Sequence, residues 1–197
     1  MELRPVERPE SEEELVARAR EGDTAAFDLL VRAHLSTVWR VAWRILRRKE
    51  DAEDMAQEVF MTAYQALSGY RGECRLSTWL HRITVTRCLN HLRSRGERIR
   101  RASRPLEVST EQMFVPPEAT DATTPLHALE QKEIGERLAR CLDRLPPLWR
   151  SALALRDGEE LSYEEMADAL GVPIGTIRSR LARARSALRD CLGGGER

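Results

Sequence analysis

Apolar residues recur every three to four positions along most of this chain, and strict two-residue alternation is almost absent, so the pattern predicts helices and almost no strand. Leu15 to Ala19 and Ala25 to Leu35 are short amphipathic runs, with Asp23 placed to cap the second, and Val38 to Leu46 is a longer one. From Asp51 the spacing is unusually regular: Ala52, Met55, Ala56, Val59, Phe60, Ala63, Tyr64 and Leu67 make one apolar stripe. Gly69 to Arg75 breaks the period with two glycines and reads as a loop. The next helix opens at Ser77 or Thr78 with Leu80, Ile83, Leu89 and Leu92 inward, leaving Trp79, His81, Arg82, Thr86, Arg87, Asn90 and Arg93 partly outward.

Composition then changes. Pro105, Pro116, Pro117 and Pro125 lie among Thr, Ser and acidic residues, a mixture that buries too little surface to fold alone and reads as a linker. A second unit follows, with Leu129, Ile134, Leu138, Cys141, Leu142 and Leu145 as a helical stripe ending at Pro146 and Pro147, and Leu148 to Leu155 as a further helix. Ser162 and Glu165 form a capping box, Leu161 and Met166 a hydrophobic staple, and Gly171 a left-handed stop. Pro173 then opens a helix whose inward face is Ile174, Ile177, Leu181, Ala184 and Leu188, completing a helix-turn-helix. The predicted fold is all-α, with two small domains: an N-terminal helical bundle and a C-terminal helix-turn-helix bundle, joined by a flexible linker. The expected boundaries are an extension over 1–24, a first domain over 25–100, a linker over 101–128, a second domain over 129–192 and a tail over 193–197.

The outward residues of the last helix bring in chemistry. Thr176, Arg178, Ser179, Arg180, Arg183, Arg185 and Arg189 suit phosphate oxygens and guanine edges. A merely solvated helix face usually mixes charge signs, whereas every charge from Arg178 to Arg189 is arginine. On the 51–67 helix, Asp51, Glu53 and Asp54 complement the helix dipole, which alone explains them. Dipole complementarity does not explain Gln57, Glu58 and an outward Met61, a mixed patch suited to another protein. Trp79 beside several arginines and a glycine loop is either a core tryptophan or a platform for an unstacked base, and the residues leave both readings open.

Charge changes the picture only through its distribution. The 32 basic and 32 acidic residues cancel to a formal net charge of +0, yet acids gather at 10–14 and 50–58 and arginines at 93–104 and 178–189. No segment approaches the ~20 apolar residues of a membrane span, the first residues carry no leader pattern, and a cytoplasmic location is expected. Cys74, Cys88, Cys141 and Cys191 lack the paired spacing of a zinc finger. Cys74, His81, Cys88 and His91 are the one conceivable metal set, but no metal is expected, and disulfides are not expected in a reducing compartment.

EDAEDMAQEVFMTAYQAL, YRGECRLSTWLHRITVTRCLNHLRSR and LPPLWRSALALRDGEELSYEEMADALGVPIGTIRSRLARAR, in this order from about Ala25 to Leu192, resemble the extracytoplasmic-function sigma factors of the sigma-70 family. The resemblance implies a factor that binds core RNA polymerase and directs promoter recognition, melting and initiation. It assigns polymerase contact to Asp51, Asp54, Gln57, Glu58 and Met61. It assigns the downstream element and the melted non-template strand to Tyr70, Arg71, Gly72, Trp79, Arg82, Thr86, Arg87, Asn90 and Arg93. Duplex readout of the upstream element falls to Thr176, Arg178, Ser179, Arg180, Arg183 and Arg185. The linker acids Glu107, Glu111, Glu118 and Asp121 would follow the active-centre cleft, and an anti-sigma factor is a further partner the resemblance admits. Thr86, Asn90, Leu76 and His81 stand where the family more often has Asn, an acid, Phe and Tyr. Arg47 and Arg48 replace a small turn residue, and Glu160 replaces a glycine. The chain is read as no enzyme, with no catalytic residue and no cofactor. Two other classes remain: an autonomous helix-turn-helix regulator of duplex operators, and a metal-dependent enzyme built on the Cys and His set.

Overall fold

The protein is described here by a computed structural model covering residues 10–102 and 125–193, with side chains over 10–97 and 131–193. The linker acids and most of the stretch read as linker lie outside these residues. Among the described residues there is no strand. Ser11 and Glu14 form a capping box that starts α1 (Glu12–Arg20), and the Asp23 carboxylate accepts from the Ala25 and Ala26 N–H groups to start α2 (Thr24–Leu46). The two runs expected at 25–35 and 38–46 are one helix. Ser36 and Thr37 lie between them without a glycine or proline, and their modest helix cost is overridden by packing on both sides.

Helix α3 (Lys49–Ala66) and α4 (Leu76–Ala102) complete the first lobe, joined by a 3-10 turn (Leu67–Gly69) and the 70–75 loop. Val38, Val41, Ile45, Met55, Val59, Val85 and Cys88 are fully buried between them. The second lobe comprises α5 (Pro125–Asp143), α6 (Pro147–Leu153), a π turn (Ala154–Gly158), α7 (Tyr163–Leu170) and α8 (Ile174–Gly193). Leu155, Met166, Ile177 and Leu181 are buried at its centre. The helix expected to run to Leu155 widens into the π turn after Leu153.

Two expectations about α5 are corrected. Ile134 and Leu138 face solvent at 58% and 38% exposure. Cys141 is buried as expected, and Leu145 just beyond the helix end is too, but the rest of the buried side is Gly135 and Ala139, small residues that let the helix lie close to α8. A disulfide joins Cys141 to Cys191, contrary to the expectation of free thiols; the partners stand 50 residues apart, so nothing local in the sequence signals the pair.

The lobes also pack on each other. Glu159 accepts hydrogen bonds from Arg40 at 2.9 Å and Arg44 at 2.6 Å, Asp143 accepts from Arg47 at 2.9 Å, and α7 lies against α4. On α4, His81, expected partly outward, is found 3% exposed, with neither ring nitrogen hydrogen-bonded. Its neighbours in charge are Glu159, His34, Arg40 and Glu165, and burial holds its pKa below the ordinary 6.5. The unfolded imidazole takes up its proton near the ordinary value while the folded one does not, so stability falls as pH drops below about 6.5. Urea unfolding at pH 7.5 and 5.5 tests this: the wild type loses stability across the window and His81→Leu loses less. Asp23 and Glu165, whose pKa values are lowered by hydrogen bonds, titrate below it. An equal loss in both proteins contradicts the assignment.

Arg47 (φ 62) and Glu160 (φ 57) are left-handed, at two positions where the resemblance noted above implies smaller residues. Arg47 is retained by its bond to Asp143 and its stacking over Trp43 at 4.8 Å. Glu160 has no such contact, so Glu160→Gly raises stability by about 0.5–1 kcal/mol, the left-handed penalty less the entropy of glycine. A destabilised variant in thermal unfolding contradicts this.

Candidate nucleic-acid interface

Helix α3 turns its apolar stripe into the first lobe, which leaves Asp54, Gln57, Glu58 and Met61 exposed on neighbouring turns. Met61 is 65% exposed and Tyr64, one turn on, 44%. The Tyr64 ring meets Phe27 edge-on at 4.9 Å. Tyr64 enlarges the patch and was missed because its spacing fits the buried stripe. Asp51 is placed differently from the other four. It bonds Arg95 of α4 at 2.8 Å, with Arg48 and His91 at 3.8 Å, and joins α3 to α4. Arg87 lies in the same seam, donating to the Thr62 hydroxyl at 2.6 and 3.1 Å.

On α4, Trp79, Arg82, Thr86, Asn90 and Arg93 follow one another at three- and four-residue steps and so share one face. All but the half-buried Trp79 are exposed. The Trp79 ring lies 5.2 Å from that of Tyr70, whose hydroxyl donates to the Cys74 carbonyl at 2.6 Å and closes the loop. Gly72 at φ 75 makes the turn that a side chain would strain. Between this loop and α1 is an open groove of about 340 Å³, lined in part by Glu12, Glu13, Arg20, Tyr70, Arg71 and Arg75. The contribution of α1 was missed because those residues were read as an extension; the Ser11 capping box was the available signal.

In the helix-turn-helix, the Ser162 hydroxyl accepts from the Glu165 N–H and Glu165 accepts from the Ser162 N–H, which lowers the Glu165 pKa. Gly171 ends α7 at φ 61. With Ile177, Leu181 and Ala184 buried, helical spacing puts Ser179, Ala182 and Ser186 along the outer crest of α8. Arg178, Arg185 and Arg189 flank one side and Thr176, Arg180 and Arg183 the other. A crest of small side chains admits close approach to base edges, while arginines on both flanks reach the two phosphate walls. Arg178 stacks over Tyr163 at 5.8 Å, and Arg185 is paired with Asp157 at 2.7 Å.

Among the described residues no three His, Cys, Asp or Glu side chains converge on a common point, so Cys74, His81, Cys88 and His91 form no ligand set. Burial pushes the Cys88 thiol up to about 12. No helix among the described residues is long and apolar enough to cross a membrane.

Residues 30–98 match the sigma-70 region 2 family and residues 128–188 the sigma-70 region 4 family. The RNA polymerase sigma-H factor of Pseudomonas aeruginosa is 36% identical over 184 residues, 93% of this chain and 94% of that one. The ECF RNA polymerase sigma-E factor of Escherichia coli K12 is 35% identical over 175 residues, 88% and 90% of the two chains. Two solved structures share the fold. RpoE in complex with the anti-sigma factor NepR from Bartonella quintana has a TM-score of 0.66 at 23% identity, covering 87% of this chain and 98% of that one. CnrH in complex with the cytosolic domain of CnrY has a TM-score of 0.63 at 23% identity, covering 95% and 100%. The two lobes, in this order and over nearly the full length of such relatives, show that the chain belongs to the extracytoplasmic-function sigma factors of the sigma-70 family.

Proposed function

We propose that the chain binds core RNA polymerase in the cytoplasm through the Asp54, Gln57, Glu58 and Met61 face of α3 and directs it to promoters. Asp51 supports that face from the α3–α4 seam. The α4 face of Trp79, Arg82, Thr86, Asn90 and Arg93, with Tyr70, Arg71 and Gly72, takes the downstream element and the melted non-template strand. Arg87 sets the spacing between this face and α3. Helix α8 reads the upstream element as duplex through Thr176, Arg178, Ser179, Arg180, Arg183 and Arg185. The proposed domain boundaries remain 25–100 and 129–192, with α1 added to the first lobe as a wall of its groove. An anti-sigma factor is a proposed regulator, since the two neighbours of like fold were each solved with a partner chain.

The observation that carries this reading is the separation of chemistries on three helices of a sigma fold: mixed polar and apolar on α3, aromatic with arginine on α4, arginine-flanked on α8. Unstacking a base costs a few kcal/mol, which aromatic stacking of about 1–3 kcal/mol per base and nearby cations offset, whereas duplex readout requires a helix in the major groove. A gel shift with promoter duplex at physiological salt tests it: specific binding appears only when core polymerase is present. Tight sequence-specific binding by the free chain contradicts it and favours an autonomous regulator.

A further inference from the structure

The cysteines serve none of these faces. Cys141 on α5 and Cys191 in the last turns of α8 are joined, with Cα atoms 5.8 Å apart. Cys141 is buried, and Cys191 is the less buried of the two. Apart from this bond α5 is held to α8 through the small buried residues Gly135 and Ala139, with Leu142 half-buried against the core. Its large side chains Ile134 and Leu138 face solvent, and its polar tie to α8 is Arg137 donating to the Leu192 carbonyl at 2.7 Å. Two residues beyond Cys141, Asp143 accepts from Arg47 at the end of α2. The disulfide therefore sits in a series of contacts running from the recognition helix, through α5, to the first lobe.

We propose that Cys141 and Cys191 are a reversible, peroxide-responsive dithiol pair whose oxidation clamps α5 to the recognition helix and steadies the packing of the two lobes. The inference rests on the cytoplasmic reading above, because a disulfide in a reducing compartment is characteristically transient and redox-sensing rather than a permanent staple. The Cys191 thiolate attacks hydrogen peroxide, and one peroxide oxygen leaves as water while the other forms a sulfenic acid. The Cys141 sulfur then displaces that oxygen as a second water. Two thiols and one peroxide give one disulfide and two waters, with two electrons passing to the oxidant. A dithiol reductant reverses the change by exchange at the less buried Cys191 and leaves as its own disulfide. Cys88 is buried in the other lobe, and Cys74 stands in the loop there, so neither lies in the α5–α8 contact.

The test uses the full chain, reduced with dithiothreitol and then treated with hydrogen peroxide. Intact mass falls by about 2 Da, mapped to the peptides holding Cys141 and Cys191, and amides over 131–143 exchange about tenfold more slowly in the oxidised protein. The double substitution C141S/C191S shows neither change. Oxygen addition without the mass loss overturns the proposal, as does a linked chain whose α5 exchanges as fast as the reduced one. In vitro transcription with the same samples keeps the two readings apart: failure to initiate in either redox state counts against the polymerase assignment, while mass and exchange still decide the clamp.

Discussion

Replacing Asp54 and Glu58 together by lysine abolishes association with core RNA polymerase while leaving the protein folded. Both side chains are exposed, and neither makes a hydrogen bond or ion pair among the described residues. Both lie beyond the first turn of α3, where the helix dipole has fallen off, so reversal at these exposed positions costs the fold about 0.5 kcal/mol or less per site. Loss of one partner in a buried interfacial charge pair costs about 2–5 kcal/mol, so two reversals lower polymerase affinity by ~100-fold or more. Co-purification with core enzyme, alongside an unchanged unfolding midpoint, is the measurement. Asp51→Lys supplies the contrast. Its carboxylate ties α3 to Arg95, so that substitution lowers stability as well as association. Unchanged association of the Asp54 and Glu58 double variant places the polymerase face elsewhere.

Arg178→Ala and Arg180→Ala, on opposite flanks of the α8 crest, each weaken upstream-element binding by the holoenzyme. A side chain on a base edge accounts for about 1–3 kcal/mol and relaxes specificity at one position. A phosphate contact instead weakens all sequences alike and lowers the salt slope by about one. The two outcomes tell which arginines read and which position. Arg185 starts from its pair with Asp157 and must leave it to reach DNA, so Arg185→Ala has the smaller effect of the three. If Arg178→Ala and Arg180→Ala both initiate normally from a promoter that depends on the upstream element, the reading face is misplaced.

The helix-turn-helix was legible because its signals are local. Ser162, Glu165 and Gly171 act within a few residues of one another, and the structure places each in its expected role, while Pro173 stands one residue before α8 with its carbonyl accepting from Thr176 and Ile177. What was illegible depends on partners distant in the chain. Asp51 and Asp54 look alike in sequence, and only Arg95, a helix away, draws the first into a seam. His81 reads as an outward residue of the first lobe, yet it is 3% exposed on a helix against which α7 of the second lobe lies. Cys141 and Cys191 pair across 50 residues, and Ile134 and Leu138 fit a buried stripe that small residues occupy instead. The family departure at Glu160 was visible, and its left-handed backbone explains why glycine is favoured there.

Directed initiation is the property from which every assigned face takes its role. Purified chain added to core RNA polymerase, with total genomic DNA as template and transcript 5′ ends mapped, gives a set of discrete start sites absent with core enzyme alone. Those sites share one upstream and one downstream sequence element, and they disappear with the Asp54 and Glu58 double variant. A profile indistinguishable from that of core polymerase alone, obtained with folded protein, contradicts the account.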